Sequence, residues 1–246
     1  MSTFGGGTMP QYQPFVLFGR SHEIVLALTV LAPIVLSILV RTTGSRAQTR
    51  LICWIFAAAI MGAWAYWYMI ATRSGWLDLG NGLPMDLCSW ACIATVVTLI
   101  YPNQKSYELA YFWALAGTVQ GILRPGIPFD FPEPRFIEFS IFHGGIIASV
   151  LFLTLGMRMR PYTASILRVM AWSLFYMAFA GVVDWALGVN YGFLRAKPMY
   201  ASLYDLMPAW PYYLPVVVVL GVLSTLICYA PFFLADRIRA LRAPRS

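Results

Sequence analysis

Charge is what this chain has least of. Only 11% of its 246 residues are Asp, Glu, Lys or Arg, against about 25% in soluble domains. That is too little polar surface to cover a water-soluble globule. Histidine is rarer still: His22 and His143 are the two in the chain, so an all-histidine metal centre is excluded and a zinc site would need mixed ligands. The four cysteines, Cys53, Cys88, Cys92 and Cys228, all fall within apolar runs. They do not form the disulfide framework of a small secreted domain. No glycine-rich nucleotide loop appears, and no soluble second domain. No internal repeat of the kind that builds a transporter from inverted halves is apparent. Nor is a cleavable signal peptide expected, because the positive flank of the first apolar run lies on its C-terminal side.

What the chain does have is hydrocarbon. Hydrophobic residues make up 60% of it and the mean hydropathy is +0.69. Apolar runs long enough to cross about 30 Å of bilayer occupy roughly residues 23–40, 51–71, 83–101, 107–123, 136–156, 166–188 and 211–235. Backbone groups in lipid must be satisfied internally, so each run is predicted to be a helix. The expected architecture is all-α, a polytopic transmembrane bundle of seven helices. Residues 1–22 are expected to be a flexible N-terminal segment, 23–235 the transmembrane domain and 236–246 a basic cytoplasmic tail.

Basic residues set the expected orientation. Arg41, Arg46 and Arg50, then Lys105, then Arg158, Arg160 and Arg168, then Arg237, Arg239, Arg242 and Arg245 fall on alternate connections. The positive-inside rule puts those connections in the cytoplasm, with the N-terminus outside and the C-terminus inside.

On that topology the unusual polar residues gather at the outer side. Asp86 and Cys88 open the third run, Gln120 and Arg124 end the fourth, and Glu138 and His143 lie in the fifth. Asp184 and Asn190 end the sixth, followed by Arg195, Lys197 and Asp205. Ionisable groups in a membrane are costly and usually face a bundle interior or a wet cavity. Arg124, Arg135 and Glu138 read more simply as interfacial residues reaching water, and so does Glu108 at the opposite end. Taken singly, Cys88 and Cys92 read as packing, and a lone histidine most often satisfies a structural hydrogen bond. Taken together, Cys88 and His143 have the makings of a nucleophile and its base, with Asp86 or Asp184 as the acid that orients the imidazole. Two other classes fit the same residues. One is a transporter or lipid-binding protein, with Asp86, Glu138, His143 and Asp184 lining a polar path. The other is a zinc hydrolase, which lacks a ligand-spacing signature.

The succession LPMDLC (83–88), YELAYFWALAGTVQGIL (107–123), RFIEFSIFHGG (135–145), NYGFLRAKP (190–198) and SLYDLMPAWPYY (202–213) resembles the YwaF-like family of bacterial integral membrane proteins. That family is grouped with eukaryotic transmembrane proteins similar to cysteine- and histidine-dependent lysophospholipid acyltransferases. The resemblance implies that Cys88 and His143 are catalytic. It assigns no role to Gln120, Asn190, Lys197 or Asp205, which lie in matching motifs. The implied activity moves an acyl chain from a phospholipid donor, through a Cys88 thioester, to a lysolipid or another hydroxyl acceptor. Gln120 or Asn190 would donate to the oxyanion, and Arg195 and Lys197 would hold a phosphate. Phospholipids or lysolipids are the expected partners, nucleic acid is not, no cofactor or metal is required, and the expected location is the bacterial plasma membrane.

Overall fold

The computed structural model describes residues 12–199 and 202–242. Its regular elements are helices: α1 (Arg20–Thr43), α2 (Arg46–Arg73), α3 (Leu87–Ile100), α4 (Gln104–Phe112), α5 (Val119–Leu123), α6 (Pro134–Leu155), α7 (Thr163–Leu187) and α8 (Tyr213–Arg242). A π-helical stretch, Trp113–Thr118, joins α4 to α5, so these three form one rod. Counting that rod once gives seven helical rods, in the chain order the apolar runs predict. Residues 1–11, 200–201 and 243–246, with parts of the expected N-terminal segment and tail, lie outside the described residues.

Among the described residues, five helices are long and apolar enough to cross a membrane: α1, α2, α6, α7 and α8. Leu28, Val35, Ile55, Leu167, Trp185 and Ile227 stand exposed on them, as side chains do where the solvent is lipid rather than water. The third run departs from its expected length. The span predicted over 83–101 is helical only from Leu87 to Ile100, 14 residues, or about 21 Å. Pro84 has no N–H to give and its predecessor is held extended. Asp86 then takes the N-cap position in an extended conformation.

The core is built around α6, which packs against α1, α2 and α3 and against the π-helical stretch. Its Gly144 and Gly145 permit this. A Cβ on Gly144 would stand 2.8 Å from Thr29 Oγ1, and one on Gly145 would stand 2.9 Å from Ile60 Cγ1. Small residues let helix backbones approach in this way. The α7 and α8 helices pack on each other and on the α4–α5 rod.

Two polar residues read as interfacial are instead buried and paired. Glu138 is 4% exposed and forms an ion pair with Arg135, whose guanidinium lies 3.9 Å from the centre of the Trp67 ring. Glu108 is 1% exposed. It accepts from Arg168 Nε at 2.7 Å and Nη2 at 2.6 Å, and from Gln104 Nε2 at 2.9 Å. A buried carboxylate persists only with partners of this kind, and here one of them lies 60 residues further along the chain.

Candidate functional site

Cys88 and His143 both pack against the same rod. Cys88 is the second residue of α3. Gly117 lets α3 come this close, since a Cβ there would stand 2.9 Å from Leu87 Cδ2. The Cys88 thiol lies against the Thr118 hydroxyl, at the end of the π-helical stretch. That widened turn shows the i→i+5 pattern: Val119 N–H donates to Ala114, and the Thr118 hydroxyl donates to Trp113 O at 3.3 Å. Single π turns inside α-helices recur at functional sites.

His143 meets the rod at Gly121. A Cβ at that position would stand 3.0 Å from His143 Cδ2 and 3.4 Å from Nε2. The imidazole stacks on Phe139, ring centres 4.0 Å apart, and meets the edge of Phe142 at 5.1 Å. Its Nδ1 donates to Phe139 O at 3.1 Å. That bond fixes the tautomer: Nδ1 carries the proton, and Nε2 keeps a lone pair on the side facing Gly121. Thr118 and Gly121 are three residues apart, so they share a helix face about one turn apart. The thiol and the imidazole therefore stand on adjacent turns of one surface. No direct hydrogen bond joins them among the described residues, and both are half-buried.

The carboxylates stand on the sulfur side. Asp86 gives no side-chain cap to α3; its Oδ1 instead accepts from Gly192 N at 3.4 Å. Asp184 is fully buried, and its Oδ1 accepts from Tyr191 N at 2.7 Å. Neither carboxylate bonds the imidazole among the described residues. The group that orients His143 is a backbone carbonyl, not the acid expected from a triad.

The remaining expected residues build the rim. Asn190 Oδ1 accepts from the backbone N–H groups of Arg195 and Ala196 at 2.9 and 3.0 Å, and its Nδ2 donates to Ala196 O. Arg195 Nη1 donates to Asp184 O at 2.9 Å, and Lys197 Nζ donates to Met207 O at 2.7 Å. Asp205 Oδ2 accepts from Ser202 N at 2.8 Å. Gln120 is exposed on the last turns of the rod. Asn190, Arg195, Lys197 and Asp205 thus direct these polar atoms to backbone groups.

Several residues that matter here carried no signal in the sequence. Tyr191 is 1% exposed. Its hydroxyl donates to Leu79 O at 2.7 Å and accepts from Leu83 N at 2.9 Å, which anchors the segment that leads to Cys88. His22 is also fully engaged, accepting from Phe18 N at 3.0 Å and donating to Ile122 O at 2.8 Å. It ties α1 to the rod beside Gly121 and has no nitrogen to spare for chemistry. A groove of about 290 Å³ runs between α3, the rod and α7, lined by Trp90, Ile93, Val97, Leu109, Trp113 and Trp172; on α3 these residues share the face turned away from Cys88. Among the described residues no group of three His, Cys, Asp or Glu side chains could hold a metal ion.

Residues 17–229 match the TMEM164 family. The chain belongs to the TMEM164 family. Its match runs from before α1 into α8 and so includes every residue of the site just described. Together with the five long apolar helices, it makes this chain a helical integral membrane protein. No curated protein and no solved structure matches it.

Proposed function

We propose that this TMEM164-family chain is an acyltransferase working within the membrane, as the likeness to the YwaF-like family implies. The observation that carries the reading is that Cys88 and His143 pack against the same rod about one turn apart, at Thr118 and Gly121. His143 Nε2 takes the thiol proton, and the sulfur attacks the ester carbonyl of a phospholipid. The C–S bond forms and the ester C–O bond breaks. The departing lysolipid oxygen collects the proton from the imidazolium. In the second half, Nε2 takes the proton of an acceptor hydroxyl, whose oxygen attacks the thioester. A new ester C–O bond forms, the C–S bond breaks, and the thiol regains its proton.

The test uses the purified full chain with labelled phospholipid and lysolipid. Wild type should transfer label and carry an acyl mass increment on Cys88. Cys88→Ala and His143→Ala should each lose transfer by about two orders of magnitude or more, and Cys88→Ala should lose the adduct. Transfer that persists in both variants removes the mechanism.

A further inference from the structure

Two buried polar atoms near Cys88 have no hydrogen-bond partner: the Tyr176 hydroxyl and Asp184 Oδ2. Tyr176 is 4% exposed and Asp184 fully buried, both on α7. Unpaired buried polar atoms are uncommon in native proteins, and each calls for a reason. Here they belong to one neighbourhood. Tyr176 lies within electrostatic reach of Asp86, Cys88 and Asp184.

Gly192 has φ +59°, and a Cβ on it would stand 2.6 Å from the Tyr176 oxygen. The hydroxyl therefore packs directly on the Gly192 backbone, where any side chain would collide with it. Trp90 stands edge-on to Tyr176, ring centres 5.3 Å apart, and also forms a wall of the apolar groove. The polar neighbourhood thus touches the Trp90 ring and lies within electrostatic reach of the sulfur.

Counting donors and acceptors identifies what fits. Asp184 Oδ2 needs a donor, and the phenol proton of Tyr176 needs an acceptor. One alcohol group supplies both, its proton to Asp184 and its oxygen to Tyr176. An ammonium supplies donors alone and leaves the phenol proton unpaired. A phosphate supplies acceptors and meets two carboxylates. We infer that Tyr176 and Asp184 form a hydroxyl-binding subsite that holds the acceptor alcohol beside Cys88. This inference rests on the acyl-transfer reading and names the acceptor as a lipid with a free neutral hydroxyl.

The experiment measures equilibrium binding to the purified full chain. Radiolabelled monooleoylglycerol is the ligand, and propyl oleate, which has the same chain and no hydroxyl, is the competitor. Wild type should prefer monooleoylglycerol by about tenfold or more. Tyr176→Phe, which removes one oxygen atom, should bring that ratio close to one while propyl oleate still binds as in wild type. Asp184→Asn should do the same. Retained binding of propyl oleate shows that each variant is folded. Equal affinities in wild type mean that a water fills the subsite, and they overturn the inference. An undiminished ratio in Tyr176→Phe overturns it too. Cys88→Ala should keep the preference. An absent Cys88 adduct with the preference intact sinks the covalent chemistry and leaves the subsite standing. An adduct formed without the preference does the reverse.

Discussion

At Gly121 one missing methyl group decides where the imidazole of His143 sits. The ring is already held on two sides, by the Phe139 carbonyl at 3.1 Å and by the Phe139 face at 4.0 Å. A Cβ at 121 would stand 3.0 Å from its Cδ2, so the ring must shift by a few tenths of an ångström. Small misplacements of a catalytic base cost rate steeply. Gly121→Ala is expected to cut acyl transfer by about tenfold or more, while thermal unfolding in detergent changes little. Gly62 provides the comparison. It lies within α2 with nothing within 4 Å of an added Cβ, so Gly62→Ala should gain up to about 1 kcal/mol from helix propensity and leave transfer unchanged. Equal losses of activity in the two variants would refute the steric account. The two histidines show the same logic from the other side: His22 has both ring nitrogens bonded, whereas His143 keeps Nε2 free to act.

Among the elements, the long apolar helices were the most legible in the sequence and α3 the least. A continuous stretch of hydrocarbon such as 166–188 needs no tertiary partner to be read, whereas the 83–101 run joins two different structures. Leu83, Pro84 and Met85 are as apolar as the helix after them. They lie outside it because Tyr191, 108 positions away, takes the Leu83 N–H. The π-helical stretch was equally invisible, since Trp113–Thr118 keeps the composition of an ordinary apolar helix. Cys88 and His143 stood out because a thiol and an imidazole are rare in this chain. Tyr176 did not, because a tyrosine in an apolar helix reads as an interfacial anchor. The burial of Glu108 could not be read without Arg168 beside it. Tyr191 is the residue to test. Tyr191→Phe removes one hydroxyl and strands Leu83 N and Leu79 O, at a cost of about 1–3 kcal/mol. The measurable result is a lower unfolding temperature and faster proteolysis within residues 74–86, with α1 and α2 uncut. Unchanged proteolysis there would show that the segment is held by something else.

The whole molecule has two unlike ends. At one, His22 meets Ile122, Tyr191 meets Leu83 and Phe15 meets Pro128, and Cys88 and His143 lie just beneath. At the other, Arg160 pairs with Asp236 and Arg168 with Glu108, and most of the basic residues cluster there. Basic loops resist translocation, so the arginine-rich end is expected in the cytoplasm and the Cys88 end at the opposite face. Reporter fusions test this directly. Green fluorescent protein fused after Ser246 should fluoresce, and alkaline phosphatase at the same position should be inactive. Phosphatase inserted at Gly80, exposed in the loop before α3, should be active. The inverse pattern would turn the molecule over and move the acyl-transfer site to the cytoplasmic leaflet. The orientation therefore decides which leaflet's lipids the Cys88 thiol can reach, and a membrane-impermeant lysolipid added to sealed vesicles should be acylated only from the side on which the Gly80 reporter is active.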